Sequence, residues 1–308
     1  MEYEYIKHID GSKIKMFLVE INRRELHFHN DIEIFIVLKG SIYIDHVRER
    51  YTLHENDIFI VNKNVVHSLK KASEDNLSLV LQFSTDFCKE YYPKISSIRF
   101  RECYVSVTKD SLYWEALNHC IREMAKHYTT KKDGYTFSMM ALLNTILEKM
   151  LEYDKYIQVS EKETASEHRN IKRLNTVISY IQNNYMHYVT LKDLAEYMNL
   201  DMYYLSHFIK ERLGISFQKY VARLRLERAE NLLLNTNLRN IDICIESGFS
   251  DYKYMSKAFF NEYQCTPTQY RQKNKIAIGR VLDDNEQHTD RVLEKNEQHI
   301  VSELSAVF

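Results

Sequence analysis

The chain has 308 residues, which is longer than one typical domain and predicts two domains with sizeable cores. Its six Gly and two Pro exclude collagen-like and proline-rich disordered architectures. The formal net charge is only -1, but residues 171–275 hold 15 Lys/Arg against 10 Asp/Glu, whereas residues 276–308 hold 3 against 7. The positive charge is therefore concentrated in one segment, as a phosphate-binding surface requires.

The amino-terminal residues do not have the pattern of a targeting segment. Residues 1–5 read Met-Glu-Tyr-Glu-Tyr and lack the basic-then-apolar order of a signal peptide. No apolar run reaches the roughly 18 residues of a membrane span. We therefore expect a cytoplasmic protein without a membrane partner.

The chain before residue 107 has the pattern of short strands. Residues 33–38, 42–44 and 57–61 are rich in β-branched and aromatic side chains, and a polar turn at 39–41 separates the first two runs. Short strands at even spacing predict a barrel or a jelly roll.

Four side chains that commonly bind metals lie within this strand region. His27 and His29 are followed by Glu33, and His67 lies downstream. This spacing resembles the first motif of the cupin barrels, with His67 in the place of the second motif's histidine. In metal-dependent cupins the corresponding residues point into the barrel and chelate a divalent metal, and imidazole with carboxylate suits iron, manganese, zinc or nickel.

The second cupin motif departs from the usual pattern, since Asn56 stands before Asp57 where Gly is usual. We therefore predict no metal, no cofactor and no catalysis. Without a metal, the three histidines and the glutamate are polar groups inside a barrel and need partners, with Tyr43 and Phe35 as further lining candidates. A small polar ligand such as a sugar would supply those partners, and a self-satisfied network of core side chains is the alternative.

Residues 110–157 change to a helical period. The apolar residues with this period are Trp114, Leu117, Ile121, Met124, Phe137, Met140, Leu143, Ile146, Leu147 and Met150. They predict two amphipathic helices, which complete a sensor domain over residues 1–157 and are candidate dimerisation elements. The polar residues 158–170 are predicted to be a linker.

A first helix-turn-helix is predicted after the linker. Residues 171–185 form a helix, and residues 190–193 read Thr-Leu-Lys-Asp, a capping-box-like start for a second helix that ends near 199–201. Asp201 caps a third helix, which Gly214 closes. The second and third helices form the predicted unit.

A longer helix leads from this unit to the next. Ser216 begins it, and it runs from Phe217 to about Leu234. About 18 residues at 1.5 Å each span roughly 27 Å, comparable to the ~34 Å repeat of B-DNA. A helix of this length would let the units on either side enter adjacent major grooves.

A second helix-turn-helix begins near Asn240, the predicted N-cap of a short helix. Gly248 ends that helix through a positive φ, and Ser250 or Asp251 caps the next helix. The predicted inward-facing residues of the two helices are Ile241, Cys244, Ile245, Met255, Phe259 and Tyr263.

Two motifs in this segment carry a family resemblance. Residues 248–250 read Gly-Phe-Ser, and residues 266–271 read Thr-Pro-Thr-Gln-Tyr-Arg. They resemble the signature of the AraC/XylS family of bacterial transcription regulators, in which Gly-Phe-x-(Ser/Asp) joins two helices and Thr-Pro-x-x-Tyr-Arg closes the domain. The family usually has Gly at the place of Gln264 and Ala at the place of Cys244. The resemblance implies a DNA-binding domain of two helix-turn-helix units over residues 171–275, behind a cupin-like sensor.

The family resemblance also implies which side chains read DNA. They are Tyr203, Ser206, His207 and Lys210 in the first unit and Tyr252, Lys253, Ser256 and Lys257 in the second. Lys257 is the strongest candidate, because a cation at this position can donate to guanine O6 and N7 or to phosphate. The alternative for each residue is a solvated side chain without a DNA contact.

The carboxyl-terminal residues 276–308 form an acidic tail with an internal repeat. Residues 280–288 nearly recur at 291–299, with a period of 11. A tandem duplication is the favoured interpretation, and a surface for a partner is the alternative.

The predicted fold is α+β with two domains, an N-terminal cupin-like β-barrel with two helices and a C-terminal all-α double helix-turn-helix. The predicted function is a sequence-specific DNA-binding transcription regulator, not an enzyme, controlled by a small-molecule ligand in the barrel. Expected partners are double-stranded DNA, the effector, a second copy of the chain and, for an activator, RNA polymerase. A cupin metalloenzyme fused to a DNA-binding module is the alternative.

Overall fold

The computed structural model describes residues 2–3, 13–46, 49–101, 103–106, 108, 111–153, 156–278 and 292–294. The chain divides into two compact units, residues 1–171 with 290–308 and residues 172–289. Within the described ranges, no helix is both long enough and apolar enough to cross a membrane.

The first unit contains the strands. They are β1 (Glu2–Tyr3), β2 (Ile14–Ile21), β3 (Arg23–Phe28), β4 (Ile32–Lys39), β5 (Ser41–His46), β6 (Glu49–His54), β7 (Ile58–Val61), β8 (His67–Lys71), β9 (Leu77–Phe83), β10 (Ile98–Phe100), β11 (Tyr104–Val105), β12 (Tyr156–Gln158) and β13 (Val292–Glu294). One sheet has the order β1-β3-β8-β5-β6, a second has the order β11-β7-β4-β9-β2-β13, and β10 pairs with β12. The described strands therefore form the two facing sheets of a cupin-like barrel.

Alternation along the strands separates two cores. In β9, Leu79 and Leu81 face outward, while Ser78, Val80 and Gln82 face the barrel interior. The interior core contains apolar side chains from both sheets. The outer core lies between the six-stranded sheet and two helices, α1 (Ser111–Thr130) and α2 (Tyr135–Tyr153).

The two helices begin and end close to their predicted limits, but one predicted core residue of α2 is wrong. Phe137 is 82% exposed, whereas Met139 is buried with Leu143 and Ile146. Two residues correspond to about 200° around a helix, so Phe137 and Met139 lie on opposite faces. The phase of the stripe was therefore misjudged in the first turn of α2.

The segment 158–170, predicted as a linker, is mostly helical. A helix α3 (Glu161–Asn184) begins upstream of the start predicted at Ile171, and that predicted start is wrong. The reason is a capping box, in which Ser160 Oγ accepts from the Glu163 N–H at 3.3 Å and Glu163 Oε2 accepts from the Ser160 N–H at 2.8 Å. The Ser-x-x-Glu spacing was present in the sequence.

The regular elements that the structure describes in the second unit are all helices, joined by short turns. After the end of α3 it contains α4 (Leu191–Met198), α5 (Met202–Leu213), α6 (Phe217–Asn235), α7 (Asn240–Glu246), α8 (Tyr252–Tyr263) and α9 (Pro267–Ile278). The predicted N-caps Thr190, Asp201 and Ser216 are confirmed, and Asp251 rather than Ser250 caps α8.

Gly248 lets the turn between α7 and α8 approach the end of α3. Its φ is +81°, and a Cβ at this position would lie 2.7–2.8 Å from backbone atoms of Tyr185 and Met186. Arg225 of α6 contacts the same place, because its Nε donates to the Tyr185 carbonyl at 2.8 Å and its guanidinium also donates to the His187 carbonyl at 2.9 Å. These contacts hold α6 and the turn between α7 and α8 against the residues that follow α3.

The predicted core of α7 is wrong at two positions. Ile245 is 67% exposed and Ile241 is also exposed, whereas Ile243 and Cys244 are buried against α6 and α8. The N-cap is Arg239, not Asn240. A helix of seven residues buries only one narrow edge, so regular spacing of isoleucines did not identify that edge.

The predicted acidic tail falls almost entirely outside the described residues. Of its residues, the structure describes 276–278, which end α9, and Val292–Glu294, where β13 pairs antiparallel with β2. The 11-residue repeat therefore stays a sequence observation.

Candidate functional site

His27, His29, Glu33 and His67 come together inside the barrel. His27 lies on β3, Glu33 on β4 and His67 on β8, while His29 follows the end of β3. All four side chains are buried, and their ligand atoms lie within 4.8 Å of one another. The structure therefore collects these four predicted residues into one cluster, the polar cluster.

Backbone contacts orient all three histidines in the same way. Nδ1 hydrogen-bonds to a carbonyl two residues away in each case, at 2.8 Å for His27, 3.0 Å for His29 and 3.0 Å for His67. Because a carbonyl oxygen can only accept, Nδ1 carries the proton. In the neutral rings Nε2 then holds the lone pair, which is the atom that binds metals.

Glu33 is the centre of the polar cluster. Its Oε2 lies 3.1 Å from His29 Nε2 and 3.0 Å from His67 Nε2, and its Oε1 accepts from Gln82 Nε2 at 2.7 Å. Burial alone would raise the pKa of Glu33, but the charges and hydrogen bonds of His29 and His67 hold that pKa well below its usual value. Burial, together with His67, lowers the pKa of His27 well below its usual range.

The geometry fits a cation. Because Nδ1 of His29 and of His67 donates to a backbone carbonyl, the approach of each Nε2 to Glu33 Oε2 is attractive only with a proton or a cation between the two atoms. Two ligand atoms that each lie about 2.1 Å from a metal are at most about 4.2 Å apart. The ligand atoms of the polar cluster lie within 4.8 Å of one another, so they would move slightly closer together on binding a metal. Three imidazoles and one carboxylate suit a divalent transition metal, which would supply Lewis-acid binding of an oxygen ligand. The expected absence of a metal stays a prediction.

Two further polar residues of the barrel interior were missed. Gln82 is 1% exposed and contacts Glu33 directly. His46 packs edge-on against the Phe59 ring, with centroids 5.4 Å apart, and burial lowers the pKa of His46 to about 4. Alternation would have identified Gln82, since it is an inward-facing position of an otherwise apolar strand.

Tyr43, a predicted lining residue, does not face the interior. Its neighbours Ile42 and Ile44 belong to the interior core, so Tyr43 lies on the outer face of β5. The Arg50 guanidinium lies 5.5 Å from the Tyr43 ring centroid. The prediction was wrong by one residue of register, which reverses the face of a strand side chain. Phe35 does belong to the interior core.

In the second unit, the predicted residues of α5 form one exposed surface. Leu205, Phe208 and Ile209 are buried, whereas Tyr203, Ser206, His207 and Lys210 are all exposed. The rings of Tyr203 and His207 contact each other, with centroids 4.4 Å apart. Aromatic, hydroxyl and cationic groups therefore line one side of α5.

The predicted residues of α8, unlike those of α5, are not all exposed. Lys253 and Lys257 are exposed, and Ser256 is partly buried. Tyr252 was predicted on the outer face, but it packs against the core of α6, α7 and α8 and lies within 3.5 Å of Asn240 Nδ2. As the first residue of α8, it is turned toward α7. Tyr254, which is also exposed on α8, was not among the predicted residues.

Family comparisons agree with both halves of this architecture. Residues 194–273 match the family model of the helix-turn-helix domain, and residues 18–83 match that of the cupin domain. The chain therefore carries an AraC-type helix-turn-helix domain behind an N-terminal cupin domain. Its helix-turn-helix match begins in α4 and ends in α9, and its cupin match contains the whole polar cluster.

Proteins similar to this chain include an HTH-type transcriptional regulator of Staphylococcus aureus, 24% identical over 242 residues. That match covers 79% of the present chain but only 31% of the relative. The HTH-type transcriptional regulator YdiP of Escherichia coli is 22% identical over 264 residues, which cover 85% of the present chain and 86% of YdiP.

Solved structures similar to this chain include the C-terminal domain of the response regulator yesN from Fusobacterium nucleatum. It is 40% identical, covers 33% of the present chain and 98% of that domain, and has a TM-score of 0.31. ToxT from Vibrio cholerae is 14% identical, covers 84% of the present chain and 98% of ToxT, and has a TM-score of 0.42.

Proposed function

We propose that this protein is a sequence-specific DNA-binding transcription regulator of the AraC/XylS type whose barrel binds a controlling small molecule. The observation that carries the proposal is the exposed polar surface on the second helix of each helix-turn-helix unit. The segment that contains both surfaces, residues 171–275, is also the basic part of the chain.

The two exposed surfaces have complementary chemistry for DNA. On α8, Lys253 and Lys257 supply cations for guanine O6 and N7 or for phosphate. On α5, Lys210 supplies a cation, and the contacting rings of Tyr203 and His207 offer hydrogen-bonding and apolar atoms to base edges. We assign base reading to these residues together with Ser206 and Ser256, and we assign Tyr252 a supporting role in the core.

The spacing between the two helix-turn-helix units supports contact with adjacent major grooves of DNA. Helix α6 has 19 residues, which corresponds to about 28 Å at 1.5 Å per residue. Arg225 holds α6 to the end of α3 through two backbone carbonyls. The connecting helix is therefore a firm spacer of nearly one turn of B-DNA.

Selection from a pool of random double-stranded DNA tests this part of the proposal. The full-length protein should enrich two short motifs about 10 base pairs apart, one for each unit. Lys219→Ala, at an exposed position of α6, is the matched control and should enrich the same motifs. Binding without any enriched sequence would contradict sequence-specific recognition.

We further propose that the polar cluster binds the effector and that α1 and α2 form a homodimer contact. The exposed Leu112 and Phe137 lie on the outside of those helices and support the dimer. A polar effector is supported by the convergence of His27, Glu33 and His67, three buried polar side chains, in the interior of the barrel. RNA polymerase is the proposed partner if the protein activates transcription.

His67→Ala tests the effector site. It should remove the effector's influence on DNA affinity, while DNA affinity without effector should remain within about twofold, because α5 and α8 are unchanged. An effector that acts equally on His67→Ala and on wild type would contradict the assignment. His54→Ala, at an exposed position of β6, is the matched control.

The proposed domain division can be tested with a fragment. Residues 160–278 retain the Ser160 cap and all of α3, so this fragment should fold and keep its base preference without effector response. A fragment that begins at Ile171 would cut α3 and lose stability. An unfolded fragment 160–278 would show that the helix-turn-helix units depend on the barrel.

A second candidate function is a cupin metalloenzyme fused to a DNA-binding module. The specific observation in its favour is that one ring nitrogen of each of the three histidines and a carboxylate oxygen of Glu33 lie within 4.8 Å of one another. Metal analysis of the purified protein tests the metal, and turnover of a small-molecule substrate would be needed for the enzyme. Bound metal that His27→Ala removes, without any effect of that metal on DNA affinity, would favour this candidate over the regulator.

A further inference from the structure

One row of side chains crosses the barrel interior beside the polar cluster. In the strand register, Glu33 of β4 is paired with Gln82 of β9, and Gln82 is paired with Lys15 of β2. Cross-strand partners share a face, and their Cβ atoms lie about 5 Å apart. The carboxylate, the amide and the ammonium group therefore project from three neighbouring strands toward the same space.

The amide of Gln82 has one satisfied end and one unsatisfied end. Its Nε2 donates to Glu33 Oε1 at 2.7 Å, and this contact determines the orientation of the amide because a carboxylate oxygen cannot donate. Its Oε1 is buried and has no hydrogen-bond partner among the residues that the structure describes. A buried acceptor without a hydrogen bond destabilises the folded protein. We therefore expect a ligand that places a hydrogen-bond donor beside Gln82 Oε1.

Lys15 determines which donor suits the site. Its Nζ lies 4.6 Å from the centroid of the Phe17 ring, which keeps the ammonium group beside the interior face of β2. A ligand ammonium group would therefore meet a like charge, whereas a hydroxyl group would not. A ligand carboxylate would be attracted by the same lysine.

We propose that Gln82 and Lys15 form, with the polar cluster, a binding site for a small 2-hydroxycarboxylate. The hydroxyl group donates to Gln82 Oε1, and the carboxylate on the adjacent carbon lies beside Lys15. This inference rests on the proposed function, in which the barrel holds the effector, and it names the effector's chemical class.

Glycolate and acetate, which differ by one hydroxyl group, test the proposal by calorimetric titration of the full-length protein. Glycolate should bind at least about tenfold more tightly than acetate, since a site built for a hydroxyl donor discriminates against an analogue that lacks it. Gln82→Met should bring this ratio close to one. Lys15→Met should weaken both ligands by a similar factor.

Two further variants keep the test decisive. Ser78→Ala lies on the same face of β9, about 13 Å along the strand from Gln82, and should retain the full ratio. If Gln82→Met does not fold, Gln82→Asn keeps the amide but is one methylene shorter, and it should also lose the preference for glycolate. Equal binding of glycolate and acetate by wild type, no binding of either, or an unchanged ratio in the folded Gln82 variant would overturn the proposal.

Mobility shifts with glycolate separate this inference from the proposed function. If glycolate binds with the expected preference but leaves DNA affinity unchanged, the 2-hydroxycarboxylate site stands and effector control fails. If a different compound controls DNA affinity equally in wild type and Gln82→Met, effector control stands and the 2-hydroxycarboxylate site is overturned.

Discussion

Histidine occurs at both candidate sites, but in opposite physical settings. His67 in the barrel is 0% exposed and uses both ring nitrogens, one with a backbone carbonyl and one with Glu33. His207 on α5 is exposed and contacts only the ring of Tyr203 among the contacts described. The barrel site is organised before any ligand arrives, whereas the surface of α5 gains its partners on binding.

This difference determines the size of the expected effects. A buried charged group that loses its partner stays desolvated, so each change in the barrel acts on folding itself. When an exposed side chain is removed, water fills the space that it occupied. Changes on α5 and α8 therefore lower DNA affinity and leave the free energy of unfolding nearly unchanged. Substitutions in the barrel therefore test stability, and substitutions on α5 and α8 test DNA affinity.

Replacing Glu33 with Ala should have the largest effect. The change leaves His29 and His67 buried without the carboxylate, and we expect a loss of about 3–5 kcal/mol in the free energy of unfolding. Urea denaturation followed by circular dichroism measures it. Glu55→Ala, at an exposed position beside β6, is the control and should change stability by less than about 0.5 kcal/mol. A Glu33 variant as stable as this control would remove the glutamate from the centre of the cluster.

Replacing Lys257 with Ala should lower DNA affinity by about 1–3 kcal/mol if the lysine reads a base edge, with a relaxed preference at one or two positions. If it contacts phosphate, affinity should fall equally on all sequences and the salt slope should decrease by about one. Thermal stability should stay unchanged in either case. Unaltered affinity and salt slope would place Lys257 outside the interface.

His46 should make the barrel sensitive to acid. Burial lowers its pKa in the folded protein to about 4, so between this value and the unfolded pKa of about 6.5 the unfolded chain binds more protons. Stability is therefore present above pH 6.5 and lost as the pH falls, by about 2 kcal/mol between pH 7.5 and 5. His46→Phe should lose less stability than wild type over this range. The same loss in both proteins would assign the effect to other groups.

The smallest expected effect concerns two capping boxes, one in each of the two compact units of the chain. Ser160→Ala at the start of α3 and Thr190→Ala at the start of α4 should each cost about 1 kcal/mol, because each leaves backbone N–H groups without an acceptor. Urea denaturation measures both. An effect for Thr190 alone would mean that the first turns of α3 contribute little to stability.

Several parts of the fold were predictable because their signals are local in the chain. The N-caps Thr190, Asp201 and Ser216 and the two motifs of the second helix-turn-helix lie within a few residues of the groups they satisfy. The Ser160 capping box was equally local, but it was overlooked because the surrounding residues are polar. The helix start at Ile171 was wrong for that reason alone.

The errors at strand and short-helix faces have a different cause. Tyr43, Ile245 and Phe137 were assigned to interior faces by periodicity, which gives the spacing of a stripe but not its phase. Only the packing of a second element against the stripe selects the face, and for a strand a shift of one residue reverses it.

The sequence by itself determined the helix-turn-helix motifs, the two-domain order and the identities of the four residues of the polar cluster, because these depend on residue type and spacing along the chain. Tertiary structure alone decided that His29 and His67 turn their Nε2 atoms toward Glu33, since backbone carbonyls orient each ring. It also brought Gln82 and Lys15 beside Glu33, through pairing between strands that are far apart in sequence. Such neighbours depend on sheet register, which no local pattern in the chain records.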